Sequence, residues 1–194
     1  MSEIKKASTR YPVLDIIRNR WSARSFSDRE ISEETMRTLI EAASWSFSAN
    51  NEQPWRYAVA YRGTSLFDQF FELLSGGNKP WCKNAGALVL SLGKKTYTSN
   101  SQPNTAMLHD VGSANMLLTL QANAMGIYTH VLGGFDVAKC AESFHFGDDH
   151  VPVYMIALGY LDEFEKLEEP YRTREISPRI RKNVDEIIVK AEKK

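Results

Sequence analysis

Apolar positions along this chain recur at helical spacing in some stretches and form short unbroken runs in others. Met36, Leu39, Ile40 and Ala43 repeat every three or four residues. Ser32 precedes them as a candidate N-cap, with Glu33 and Glu34 placed in the favourable first turn of the helix dipole. A longer helix is predicted over Asn104 to Met125, ended by Gly126, with Val111, Ala114, Asn115, Leu118, Ala122 and Met125 on one face. Met116, Leu117 and Leu120 make its other faces apolar too. Such a helix lies either at the centre of a large domain or in a subunit interface, and in so small a chain the interface is favoured. Tyr57 to Tyr61, Ala85 to Leu92 and Val151 to Gly159 are bounded apolar runs that fit buried strands. Short helices are expected around Val13, Ile16 and Ile17 and over Ser65 to Leu74. Glu163 to Arg174 reads as an extended arm, and Ser177 and Pro178 start a last helix striped by Ile180, Val184, Ile187, Ile188 and Ala191. The mixture predicts an α+β or α/β sandwich.

Composition narrows the function classes. The 194 residues carry 24 Lys and Arg against 24 Asp and Glu, so no global basic field points to nucleic acid or an anionic membrane. Any anionic ligand must be held by local arginines. Cys82 and Cys140 are far apart and form no CxxC pair, which makes them packing residues and fits a reducing, cytoplasmic setting. No apolar run approaches a membrane span.

Four features bear on chemistry. Arg20, Ser22 and Arg24 in RWSARSF alternate, so in an extended segment they point one way and offer a phosphate or carboxylate clamp, against the plainer reading of a solvated loop. Arg172 and Arg174 in YRTRE repeat the alternation downstream. In SANNEQPW the small and amide side chains suit a structured loop, or hydrogen bonds to the edge of a heteroaromatic ring. The glycines of VLGGFD allow a sharp turn or a close backbone approach to a ligand. No GxGxxG, HExxH or GxSxG is present, so with neither protein nucleophile nor metal, the chemistry falls to a bound cofactor.

These segments, in this order, resemble the nitroreductase family of FMN flavoproteins. RWSARSF is similar to that family's RRSxRxF signature, with Trp21 in place of its second basic residue. FSANNEQPW resembles PSSxNxQPW, with Phe47 for Pro and Ala49 for the second Ser; NKPWCKNAGALVL, the long helix, GGFD, ALGY and the terminal Arg pair follow in register. The likeness runs from about Val13 to Arg174. It implies a three-layer α+β sandwich with a central, mostly antiparallel sheet, a long central dimer helix and a C-terminal arm, the whole of 1–194 forming one FMN-binding domain with 163–194 as an arm that crosses the dimer. It also implies a cofactor-binding set. Arg20, Trp21, Ser22 and Arg24 hold phosphate, ribityl chain and ring edge, with Arg172 and Arg174 closing on the phosphate. Asn78, Gly133 and Gly134 approach the isoalloxazine, and Phe47, Ser48 and Asn51 reach the FMN of the other subunit.

The activity so implied is ping-pong: NAD(P)H reduces FMN, and an electron-poor small molecule such as a nitroaromatic, quinone or activated alkene is reduced in turn, in a cytoplasmic homodimer with shared sites. The alternatives are a specialised flavin chemistry, dehalogenase-like or flavin-destructase-like, and a non-catalytic FMN-binding module.

Overall fold

A computed structural model describes residues 3–191 of the chain, so residues 192–194 of the expected arm lie outside the described residues. A short 3-10 turn at Glu3–Lys5 precedes α1 (Asp15–Asn19) and α2 (Glu33–Ser44). Then come β1 (Trp55–Tyr61), α3 (Ser65–Glu72), α4 (Lys79–Cys82), β2 (Ala87–Lys94) and α5 (Met107–Ala124). The chain continues through β3 (Ile127–Leu132), α6 (Val137–Ser143), β4 (His150–Tyr160), α7 (Tyr171–Ile176) and α8 (Val184–Ile187).

The four strands form one sheet in the order β1-β2-β4-β3, and every neighbouring pair is antiparallel. Of the three apolar runs, residues 57–61 fall in the edge strand β1 and bury only Ala60, whereas residues 85–92 and 151–159 supply the two interior strands. Each is covered on both faces, so polar alternation would bury polar side chains. Leu88, Leu90, Met155 and Ala157 point to one layer, with Phe67, Phe70, Trp81 and both cysteines. Ala87, Val89, Ile156 and Leu158 point to the other, with Met36, Leu39, Val111, Ala114 and Leu118. The period-2 exchange of faces thus makes a three-layer sandwich, with α2 and α5 packed together on one side and α3 and α6 on the other.

Local signals explain most boundaries. Ser32 Oγ accepts from Thr35 N at 3.1 Å and starts α2. Gly126, at φ +73°, supplies the left-handed turn that takes the chain from α5 into β3. Burial keeps both cysteines protonated, pushing the Cys82 thiol up to about 12 and the Cys140 thiol up to about 11.

Three expectations need correction. Met125 belongs to the residue cap beyond α5 and is 38 % exposed, not part of the buried stripe. Residues 163–174 are not extended: a 3-10 turn at Phe164–Lys166 leads into α7. The last helix is the single turn α8, and Ile180, Ile187 and Ile188 stay exposed. An apolar stripe without a surface to bury against leaves helix nucleation uncompensated. Among the described residues, no helix is long and apolar enough to cross a membrane.

Candidate functional site

The backbone leaves α1 in an extended conformation at Arg20, and the alternation read from the sequence becomes a real division of faces. Trp21, Ala23 and Ser25 are buried, while Ser22 is exposed and Arg20 and Arg24 are half-buried. Ser22 makes a single parallel bridge with Thr129 of β3, which seats the segment beside the sheet edge. The side chain of Trp21, expected in the binding set, is buried. It packs edge-on to Tyr128 at 5.8 Å between ring centres and lies under Lys5 Nζ at 5.0 Å, inside the core.

The downstream arginines are placed differently from expectation. On α7, positions two apart lie about 200° apart around the axis, so Arg172 and Arg174 do not share a direction. Arg172 Nε donates to Leu167 O at 2.9 Å and fastens the turn before α7. Arg174 lies over the Tyr171 ring at 5.9 Å and in the field of Arg24. Tyr171 Oη in turn donates to Gly77 O at 2.9 Å, next to Asn78.

Asn78, Gly133 and Gly134 do come together. Asn78 Nδ2 donates to Gly134 O at 3.0 Å and to Ser75 Oγ at 3.2 Å. A Cβ at Gly134 would sit 2.8 Å from both Asn78 Nδ2 and Ser75 Oγ, so a side chain there would push at least one of them aside. The bridge between this cluster and the arginines is Trp81 on α4. Its ring lies 5.9 Å from the Arg24 guanidinium and 4.6 Å from the His130 ring. His130 Nδ1 meets Ala23 O at 3.0 Å; a carbonyl only accepts, so Nδ1 carries the proton. Burial, with Arg24 beside it, holds the imidazole down at about 4, and it is neutral at pH 7.

Phe47, Ser48 and Asn51 lie elsewhere. Ser48 Oγ accepts from Gln53 N at 3.0 Å, and Ala49 N donates to the buried Asp110 at 2.9 Å, which ties this loop to the start of α5. The exposed Phe47 ring sits 5.5 Å from that of His109. Among the described residues, no hydrogen bond or ion pair joins these three to the Arg20–Arg24 segment.

The electrostatics single out the arginine face. Arg20 is drawn below its ordinary pKa by burial and then by Arg179 and Arg181. Arg24 is lowered by burial and by Arg174, opposed by Glu175. Lys5 is lowered by burial, with Arg24 and Arg179 adding to it. Glu175 is the carboxylate that answers this crowd, and the Arg24 guanidinium approaches it only to 3.8 Å. Arg24 and Arg174, each in the other's field with Glu175 no nearer than 3.8 Å to Arg24, offer planar forks that suit an anionic ligand.

The sequence reading missed Lys5, Trp81, His130, Tyr171 and Glu175. Glu175 adjoins Arg174 and Trp81 adjoins the NKP turn, so each had a neighbour already under notice. Nothing local marks Lys5, which acquires its place through contacts about 170 residues away.

Similarity to known proteins points the same way. A model of the nitroreductase family matches residues 17–80 and 64–160. A protein of Archaeoglobus fulgidus, provisionally named an NADH dehydrogenase/NAD(P)H nitroreductase, is 27% identical over 151 residues, covering 76% of this chain and 84% of its own. A crystal structure described as an oxidoreductase containing FMN superposes with a TM-score of 0.89 at 28% identity, covering 95% of this chain and 94% of that one. A provisionally named nitroreductase of Exiguobacterium sibiricum, solved in complex with FMN, has a TM-score of 0.76 at 21% identity over 95% and 99% of the two chains, and shows the shared fold.

Proposed function

Since the chain belongs to the nitroreductase family, we propose that it is an FMN-dependent oxidoreductase. It takes reducing equivalents from NAD(P)H and passes them to an electron-poor small molecule of the nitroaromatic, quinone or activated-alkene kind. The observation that carries this reading is Arg24 in the field of Arg174, with Glu175, the one carboxylate paired with it among the described residues, 3.8 Å away.

The residues present fit FMN. Arg20, Arg24 and Arg174 hold its phosphate, and Ser22 hydrogen-bonds the ribityl chain. Asn78, with Gly133 and Gly134, receives the edge of the isoalloxazine, where the missing Cβ of Gly134 leaves Asn78 and Ser75 in place. The chemistry FMN supplies when bound is two-electron carriage, one hydride in from the nicotinamide and one out to the acceptor after the first product leaves. The protein's own part is to orient the ligand, keep positive charge at the phosphate and present a neutral His130 between Trp81 and Ala23. Arg172 is left with a fastening role.

A second copy of the chain completes the site in this proposal. The chain exposes 11616 Å², whereas a compact monomer of 22.0 kDa exposes about 9,300 Å². Trp45 is 82 % and Met116 51 % exposed, and Phe47 and Leu108 also stand out. Patches of this kind mark an interface. Phe47, Ser48 and Asn51, unconnected to their own arginine face, reach the partner's FMN, and residues 163–194 serve as an arm of one FMN-binding domain.

Purified protein supplied with FMN is expected to be yellow and to bleach on addition of NADH or NADPH under nitrogen. Arg20→Ala and Arg174→Ala each weaken FMN binding by roughly tenfold or more, the worth of one charge-assisted contact. Colour without bleaching reduces the protein to a binder; no FMN binding, or full affinity in both variants, refutes the reading.

A further inference from the structure

Helix α7 is six residues long, and its Arg174 side chain reaches the basic face while Ile176 stays 38 % exposed. Little apolar burial holds so short an element in place. What fastens it is polar and buried. Lys5, 5 % exposed, donates Nζ to Arg174 O at 2.6 Å and to Ser177 O at 2.7 Å, taking up carbonyls at the C-terminal end of α7. Glu175, 3 % exposed, accepts from Arg24 N at 2.8 Å and from Ser25 N at 3.1 Å through Oε1. Its Oε2 has no hydrogen-bond partner and faces the Arg24 guanidinium at 3.8 Å.

A carboxylate this deep is costly to keep unless its charge is used. Two backbone N–H groups alone are satisfied by a neutral side chain. Burial pushes the Glu175 carboxyl up, opposed by the N–H groups of Arg24 and Ser25 and by the charges of Arg24 and Lys5. Its charge acts on the Arg24 guanidinium at 3.8 Å, which makes no hydrogen bond to protein among the described residues and keeps its donors free. Consecutive residues of one short helix therefore do two things. Arg174 enters the anion site, and Glu175 reaches back to hold the segment carrying the opposing arginine. Lys5 sits between them, in the field of both Glu175 and Arg24.

We propose that Glu175 is a positioning residue for phosphate recognition. It locks the Arg20–Arg24 segment to α7, sets the direction of Arg24 and, braced by Lys5, fixes the spacing between Arg24 and Arg174 without touching the ligand. The proposal rests on the reading of this site as one for FMN. It locates the affinity for the phosphate, as distinct from the ring, in a buried carboxylate.

Riboflavin, which carries the ring and ribityl chain without the phosphate, separates this role from general structural damage. Dissociation constants for FMN and riboflavin are measured by flavin fluorescence for the wild-type protein, Glu175→Ala and Glu175→Gln. The wild type is expected to favour FMN strongly. In Glu175→Ala that preference falls by roughly tenfold, the loss of one misdirected charge-assisted contact, while riboflavin affinity is unchanged. Glu175→Gln, which keeps an acceptor for Arg24 N and Ser25 N but loses the charge, falls between the two. An unchanged FMN-to-riboflavin ratio in Glu175→Ala, or in Glu175→Gln if the alanine variant does not fold, overturns the proposal. Equal weakening of both ligands overturns it as well. A wild-type protein that binds FMN no better than riboflavin removes the phosphate site itself, and with it the reading beneath.

Discussion

Neighbouring residues 20 to 25 are sorted by the geometry of an extended backbone: Arg20, Ser22 and Arg24 face outward, Trp21, Ala23 and Ser25 inward. The alternation was legible in the letters because strand geometry is local. The destination of each side was not. Trp21 stands where a basic residue is usual in the family signature, yet it became core because Tyr128 and Lys5 Nζ offer its ring two faces. His130 shows the converse, a residue with no motif placed at the centre of the site by Trp81 and Ala23. Its folded pKa of about 4 lies below the ordinary 6.5, so an unfolded chain takes up the proton first as pH falls. The stability it contributes is complete above pH 6.5 and disappears as pH drops towards 4. Denaturant titrations of wild type and His130→Asn from pH 7.5 to 4 should show their difference in stability shrinking by up to about 3 kcal/mol. A constant gap across that range would contradict the assignment of a neutral, buried imidazole.

Helix α2 begins where Ser32 and the two glutamates said it would, because capping is settled within four residues. Ser32→Ala should lower stability by about 1 kcal/mol in urea unfolding; no change would mean that packing of Met36, Leu39 and Ala43 alone sets the helix. The C-terminal elements behave otherwise. An apolar stripe from Ile180 to Ala191 promised a helix, but only Val184–Ile187 forms a turn, since a stripe stabilises a helix only when another surface covers it. Residues 171–174, which read as extended, coil into α7 because Tyr171, Glu175 and the carbonyls taken by Lys5 all find partners in that form. Long-range partners decided both outcomes.

Across the whole molecule, the buried stripe of α5 covers one face of the sheet while Leu108 and Met116 remain uncovered. A second copy is the natural cover for such a surface. The wild-type protein should elute at twice 22.0 kDa on size exclusion, and Met116→Glu should shift it towards monomer and release FMN while circular dichroism stays helical. A stable wild-type monomer that retains FMN would sink the shared-site proposal.

The sequence by itself determined the sandwich. The two longer apolar runs specify interior strands, helical spacing specifies the covering layers, and charge neutrality leaves anion binding to local arginines. Those are properties of short windows, fixed by backbone periodicity and the cost of burying polar groups. Only the tertiary structure decided that Arg172 bonds the Leu167 carbonyl, that Lys5 takes the Arg174 carbonyl, and that Glu175 accepts from the backbone of Arg24. Electrostatic contacts are made between groups brought together by the fold. Their strength depends on burial and on distances of a few ångströms, neither of which is written in local spacing.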